Sequence, residues 1–321
     1  MAVDVRPIEL PKDVSTFIEV WFDLYRDNPH WVAPLRFERK EFLNPARNPY
    51  FKLGKVQCFV AWKDGKAVGT ISATVDFKYQ DVEKGVGFFG FFEFPDDEEV
   101  ARALLDAALA FLRQEGMHTA RGPFNFNTNH ECGLLVDAFD SDPLVLMTYN
   151  LPYYPAMYER LGLAKAKDLY AYWIANDGPA PERIQKLSDR FLQKHPEISI
   201  RNIDMKRWAD EVRLAKEIYN DAWADNWGFV RLTDEEFDKV AAGLKPMVDP
   251  RYCFVVEIHG KPVAFSLTLP DFNQVVKPMK GSIFPFGWWY YLTMPKKVDR
   301  IRVFVLGVRQ AFQYLPLGAP L

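Results

Sequence analysis

Cysteine is scarce in this sequence, with Cys58, Cys132 and Cys253 the only three in 321 residues. An odd, widely spaced set builds no disulfide framework and no metal-ligand cluster, so it fits a reducing compartment and no metal is expected. A surplus of positive charge is also missing. The 40 basic and 43 acidic residues leave a formal charge of −3, which gives no electrostatic footprint for nucleic acid, and none is expected as a partner. Long apolar runs are absent as well: the richest stretch, Ser282 to Met294, is broken by Pro285 and Gly287, so no membrane span is expected. The first nine residues show neither a basic nor an apolar leader segment. A cytoplasmic location is therefore expected. What the chain does have is 49% hydrophobic and 15% aromatic residues, enough for a large core and two domains.

An internal repeat organises the chain. Cys58-Phe-Val with Gly65-Lys and Val68 recurs, without a gap, as Cys253-Phe-Val with Gly260-Lys and Val263, and Asp76 falls opposite Asp271. Upstream, Val3, Val5, Arg6 and Ile8 match Ile198, Ile200, Arg201 and Ile203 at the same spacing. Several matches in one order argue for duplication. Each copy reads as a strand, a helix, a broken second helix and a hairpin. In the first copy, Val14, Phe17, Ile18, Trp21 and Tyr25 lie at helical spacing, and Asp64-Gly65 marks a hairpin turn. In the second, Thr233-Asp-Glu-Glu236 caps a helix. Residues 167–174 are predicted to form a strand closing the first copy.

The last stretch reads as a buried central strand, 301–308, running into a loop. There Val308, Phe312, Gln313, Pro316 and Gly318 resemble the signature of the GNAT-type N-acetyltransferase superfamily, with Pro316 where a glycine is usual. Asn150 with Tyr158, Gly162 and Leu163 is similar to that family's second motif. The resemblance implies a mixed α/β fold of two GNAT-like units in tandem: 1–175 without a pyrophosphate loop, a linker and helix over 176–197, and 198–321 truncated after its fourth strand. It also implies acetyl-CoA as co-substrate. Leu306 and Val308 would orient the pantetheine arm, while Arg309, Gln313 and the amides of Leu317, Gly318 and Ala319 would hold the pyrophosphate. Tyr158 would protonate the leaving thiolate. In the first copy Pro95 and the four acids Asp96 to Glu99 stand at the corresponding helix start. Carboxylates there suit a helix cap and repel a phosphate.

The densest polar cluster is Asn125, Asn127, Asn129, His130 and Glu131, set among aromatics. The asparagines read as substrate-binding groups and His130 with Glu131 as a general base pair; a hydrogen-bonded loop anchor explains the same residues. Nothing in the sequence pairs Cys132, as a nucleophile, with a base. Glu257 and Asp271 are candidate bases should the second copy be catalytic, and exposed strand ends explain them equally well. Trp288, Trp289, Tyr290 and Tyr291 could line a hydrophobic substrate cleft or touch a membrane surface, with core packing the default. Three functions follow. One is acetyl-CoA-dependent N-acyl transfer to a small amine or amino-acid-like acceptor. The second is a binding or scaffolding protein that kept the fold and lost the chemistry. Transfer from an aminoacyl-tRNA is the third, and the lack of basic surface argues against it. An incomplete second unit also predicts self-association.

Overall fold

A computed structural model describes residues 2–175, 178, 181–294 and 297–317. It is a mixed α/β fold that divides into two compact units, Met1–Asp168 with Phe272–Val298, and Leu169–Asp271 with Asp299–Leu321.

The first unit contains β1 (Asp4–Ile8), α1 (Val14–Leu24), α2 (Arg36–Phe42), β2 (Gly54–Lys63), β3 (Lys66–Asp76), the short α3 (Tyr79–Val82), β4 (Val86–Glu93), α4 (Glu98–Gln114), β5 (Thr119–Arg121), β6 (Phe124–Asn125), β7 (Glu131–Cys132) and α5 (Tyr154–Arg160). Its five-stranded sheet runs β1-β2-β3-β4-β5. All neighbours are antiparallel except β4 and β5, which are parallel. One face is covered by α4 through Val100, Leu104, Leu105 and Leu112. The other is covered by α1 through Phe17, Ile18 and Trp21. Fully burying each such side chain contributes roughly 1.5–3 kcal/mol, so these two stripes anchor the sheet. Asp97 caps α4, its side chain accepting from the amides of Glu99 and Val100. The acids after Pro95 therefore act as a helix start.

The second unit holds α6 (Glu182–Lys194), β8 (Ile198–Asn202), α7 (Trp208–Ala222), α8 (Asp234–Leu244), β9 (Cys253–Ile258), β10 (Lys261–Pro270) and β11 (Ile301–Val308). Thr233 and Glu236 complete a capping box at the start of α8. The sheet order is β11-β10-β9-β8. The two repeated hairpins turn alike. Asp64-Gly65 and His259-Gly260 both adopt positive φ, Ile8 is paired with Cys58, and the Ile203 amide donates to the Cys253 carbonyl.

Three expectations need amending. Strand β11 is at the edge of its sheet, with Ile301, Val303 and Leu306 exposed; its β-branched run is satisfied by one neighbour. Residues 164–175 have no regular structure and lie exposed, because nothing in the first sheet pairs with them. Phe272–Val298, read from sequence as part of the second copy, groups with the first unit. There it carries the short helices α9 (Asn273–Val276) and α10 (Gly287–Thr293).

Candidate functional site

The site grows from an irregularity in β4. Pairing with β3 shifts between Thr70↔Glu93 and Ser72↔Gly90, so β4 carries one extra residue there. Phe91 takes φ of 44° at this bulge, a region that costs a non-glycine residue energy and must be held by its surroundings. Both of its backbone groups are pinned by side chains. Thr70 Oγ1 donates to the Phe91 carbonyl at 2.8 Å, and Asn125 Oδ1 accepts from the Phe91 amide at 2.7 Å. Trp21 donates its indole N–H to the same Thr70 oxygen and stacks on the Phe91 ring. Gly90 lets β6 approach, since a Cβ there would meet the Phe124 carbonyl oxygen at 1.9 Å.

Just past the bulge stands Glu93, the one acid in an aromatic strand. The hydroxyls of Tyr25 and Tyr154 both donate to its Oε2, each at 2.7 Å. Among the described residues no hydrogen bond falls on Oε1. Burial pushes its pKa up to about 7, against the pull of the two tyrosine hydrogen bonds. The side chain is nonetheless partly accessible. A carboxyl in that state exchanges a proton at neutral pH. The next residue is closed off, the Phe94 amide donating to Tyr154 Oη and its carbonyl accepting from Tyr153 Oη.

The loop between β6 and β7 gathers the predicted polar cluster. Glu131 and Arg39 form a two-pronged pair, at 2.6 and 3.1 Å, and Arg39 also holds Glu38 at 2.8 Å. Asn125 Nδ2 donates to Glu131 at 3.2 Å. Burial favours a protonated Glu131, but the Arg39 guanidinium outweighs it and keeps the carboxyl below its usual range. The same burial raises Glu38. Asn127 donates to Asp76 at 2.8 Å, which points its oxygen towards the Asn129 amide and towards His130 Nδ1, both at 3.0 Å. Asp76 also accepts from Tyr50 Oη. Because the partner of Nδ1 is an amide oxygen, Nδ1 carries the proton and Nε2 keeps a lone pair. Burial pushes the His130 pKa down to about 4, so the ring is neutral at pH 7. Asn125, Asn127, Asn129, His130 and Glu131 thus sit together, and the structure adds Arg39, Glu93, Tyr25 and Tyr154.

The other predicted residues lie elsewhere. Tyr158 is on α5 with its ring against Phe89, Phe92 and Phe94 in the core of the first unit. Cys132 is half-buried on β7. In the second unit, Leu306 and Val308 are on β11, Glu257 is paired with Arg201 at 2.8 Å, and Asp271 is buried. Gln313 donates to the carbonyls of Val308 and Ala222 at 3.1 and 3.4 Å. Arg309 is paired with Glu217, Gln310 donates to Asp221 and Asp225, and Leu317 is buried in the small core of the second unit. With three carboxylates beside it and the Gln313 amide engaged, the described part of this loop is a poor cradle for a pyrophosphate. Gly318 and Ala319 lie outside the described residues. Trp288 and Trp289 are on α10 in the first unit, both exposed. Among the described residues no group of His, Cys, Asp and Glu is arranged to hold a metal, and no helix is long and apolar enough to cross a membrane.

A groove of about 630 Å³ opens between α1 and the start of β3, with Val20, Leu24, Ala67, Val68 and Pro95 among its lining residues and Glu19 and Asp23 beside them. Pro95 brings it within two residues of Glu93.

Two curated proteins align over almost the whole chain. Protein YghO of Escherichia coli K12 is 37% identical over 318 residues, 98% of this chain and 80% of its own length. The bacterial ceramide synthase of Caulobacter vibrioides is 38% identical over 315 residues, 97% of this chain and 82% of its own. The chain belongs to their family. No family model matches this YghO and ceramide synthase relative. Solved structures similar to this family member over about half of the chain include acetyltransferases. An aminoglycoside N-acetyltransferase, AAC(6')-Iy, in complex with CoA has a TM-score of 0.31 at 13% identity over 54% of this chain and 94% of its own. The ribosomal-protein-alanine N-acetyltransferase of Brucella melitensis has 0.33 at 15% over 55% and 99%.

Proposed function

We propose that this protein is an N-acyltransferase that moves the acyl group of a thioester onto the amine of a long-chain acceptor, releasing the thiol. A ceramide is the amide of a long-chain amino alcohol, and the related ceramide synthase supports that acceptor class here. The observation that carries the chemistry is Glu93, partly accessible, held by Tyr25 and Tyr154, with its pKa pushed up to about 7.

In this reading the Glu93 carboxylate takes a proton from the acceptor's ammonium group. The freed nitrogen lone pair attacks the thioester carbonyl carbon, the C–N bond forms and the C–S bond breaks. The departing thiolate takes up a proton released by the nitrogen, leaving an amide and a thiol. Matching the base to the working pH suits such a transfer. The neutral His130 offers Nε2 to a hydroxyl or amine of the acceptor. Asn125, Asn127 and Asn129 shape that wall, and Arg39 with Glu131 fixes the loop that bears them. The groove beside Pro95 gives an alkyl chain an apolar lining, and Glu19 and Asp23 attract an ammonium group. CoA is the carrier that the sequence resemblance implies. The described loop after β11 offers its phosphates little, so no step is assigned to it. The repeated hairpin supports a tandem origin, and the exposed β11 supports self-association through the second unit.

The test is incubation of the purified chain with sphinganine and with small amines, using acyl-CoAs from acetyl to palmitoyl and the same acyl groups on acyl carrier protein. N-acyl product by mass spectrometry, lost in Glu93→Gln, is the expected result. Absence of product with every thioester would favour a second reading, a binding protein without turnover. Two observations favour that reading: Asp97 caps α4, and Gln313 is already engaged.

A further inference from the structure

The segment 273–298 has a composition unlike the rest of the chain. It contains four lysines, Lys277, Lys280, Lys296 and Lys297, and no aspartate or glutamate, in a protein whose acids outnumber its bases. It is also anchored on one side and bare on the other. Val275 and Met279 are buried, the Gly281 carbonyl accepts from the Arg36 amide, and Asn273 donates to the Pro143 carbonyl at 2.7 Å. Gly281 is at φ of 78° with the Phe22 ring 2.4 Å from where a Cβ would be, so the chain turns tightly there. Beyond that turn Phe284 is 80% exposed, Phe286 71%, Trp288 47%, Trp289 56% and Leu292 65%. On α10, Trp288, Trp289 and Leu292 are at i, i+1 and i+4, which puts them on one side of the helix.

From this arrangement we infer that residues 284–292 form a docking surface for the headgroup region of an anionic lipid bilayer. Exposed tryptophan, phenylalanine and leucine gain by entering the boundary between headgroups and acyl chains, where aromatic rings concentrate. Flanking lysines add attraction to anionic lipid. Lys280 and Lys297 are exposed and carry this charge, whereas Lys277 is paired with Asp142. An acid-free, cationic and aromatic segment complements a negatively charged bilayer. The contact is peripheral, because α10 has seven residues and cannot span.

The surface is independent of the acyl-transfer reading, and its test needs no substrate. The full chain is sedimented with phosphatidylcholine vesicles, with and without phosphatidylglycerol. Binding roughly tenfold stronger to the anionic vesicles is expected from two free lysines, and it should fall as salt rises. Phe284→Ser with Trp288→Ser and Trp289→Ser should abolish binding while the far-ultraviolet circular dichroism stays native. Lys280→Glu with Lys297→Glu should keep the fold and lose the preference for anionic lipid. The inference is overturned if the wild-type chain stays in the supernatant with both vesicles, or if the serine variant binds as well as wild type. A concentration-dependent dimer that the serine variant loses, without vesicle binding, would instead assign the surface to a second copy.

Discussion

Asn125 accepts the Phe91 amide at 2.7 Å and, through its other side-chain atom, donates to Glu131 at 3.2 Å. One amide therefore fixes the bulge of β4 and the acid of the neighbouring loop together. Replacing it with aspartate keeps the acceptor for Phe91 and sets a second carboxylate against Glu131, while alanine removes both bonds.

Asn125→Ala is expected to lower unfolding stability by about 1–3 kcal/mol, because the Phe91 amide is left without its acceptor. Urea denaturation would measure it. A stability within error of wild type would mean that the bulge is held by Thr70 alone.

Glu93→Gln is expected to separate stability from activity. With its folded pKa raised to about 7, wild-type Glu93 binds a proton that the unfolded chain has released between about pH 4.5 and 7. Stability from this group is thus complete below the unfolded value and is lost as pH rises to 7. Glutamine keeps an acceptor for Tyr25 and Tyr154 without the charge. The variant should gain up to about 3 kcal/mol at pH 8, while acyl transfer falls about a hundredfold or more. Loss of both properties together would make Glu93 a structural group.

His130 should act in the opposite sense. Its pKa is pushed down to about 4, so between about pH 6.5 and 4 the unfolded chain takes up a proton that the folded one refuses. Stability from this group is present above 6.5 and lost towards 4. His130→Gln should remove this contribution, worth up to about 3 kcal/mol, and leave the opposite pH dependence of Glu93 uncompensated. The two groups oppose each other in overlapping windows. Wild type should therefore show a flatter pH–stability curve than either variant, as thermal melts across pH 4–8 would show.

Arg39→Leu leaves Glu131 and Glu38 without their cation and should cost about 3–5 kcal/mol. Combining it with Glu131→Leu should recover a large part, since the strongly coupled charge is then gone as well. A double-mutant cycle by chemical denaturation measures the coupling, and simple additivity would show that the pair is not an energetic unit.

Asp97→Ala removes the cap of α4 and should cost about 1 kcal/mol, read from denaturant midpoints. Asp97→Asn should lose less, because its side-chain oxygen still accepts from Glu99 and Val100.

Much of the local architecture was already legible in the chain. Val14, Phe17, Ile18 and Trp21 repeat at helical spacing and form α1, Asp64-Gly65 turns the hairpin, and Thr233 with Glu236 caps α8. These signals work between near neighbours, so a sequence carries them openly. The polar run from Asn125 to Glu131 was visible for the same reason. Its partners were not, because Arg39 reaches Glu131 across 92 positions and Tyr25 reaches Glu93 across 68. The sole acid within Phe88-Phe-Gly-Phe-Phe-Glu-Phe94 was the available signal for Glu93. Its raised pKa comes from burial, and the two tyrosines that hold it against that pull come from distant parts of the chain. The edge position of β11, the unstructured 164–175 and the bare aromatics of α10 were likewise decided in three dimensions. An apolar run states that burial is favourable, and only the packing of the whole chain decides which of several such runs is buried.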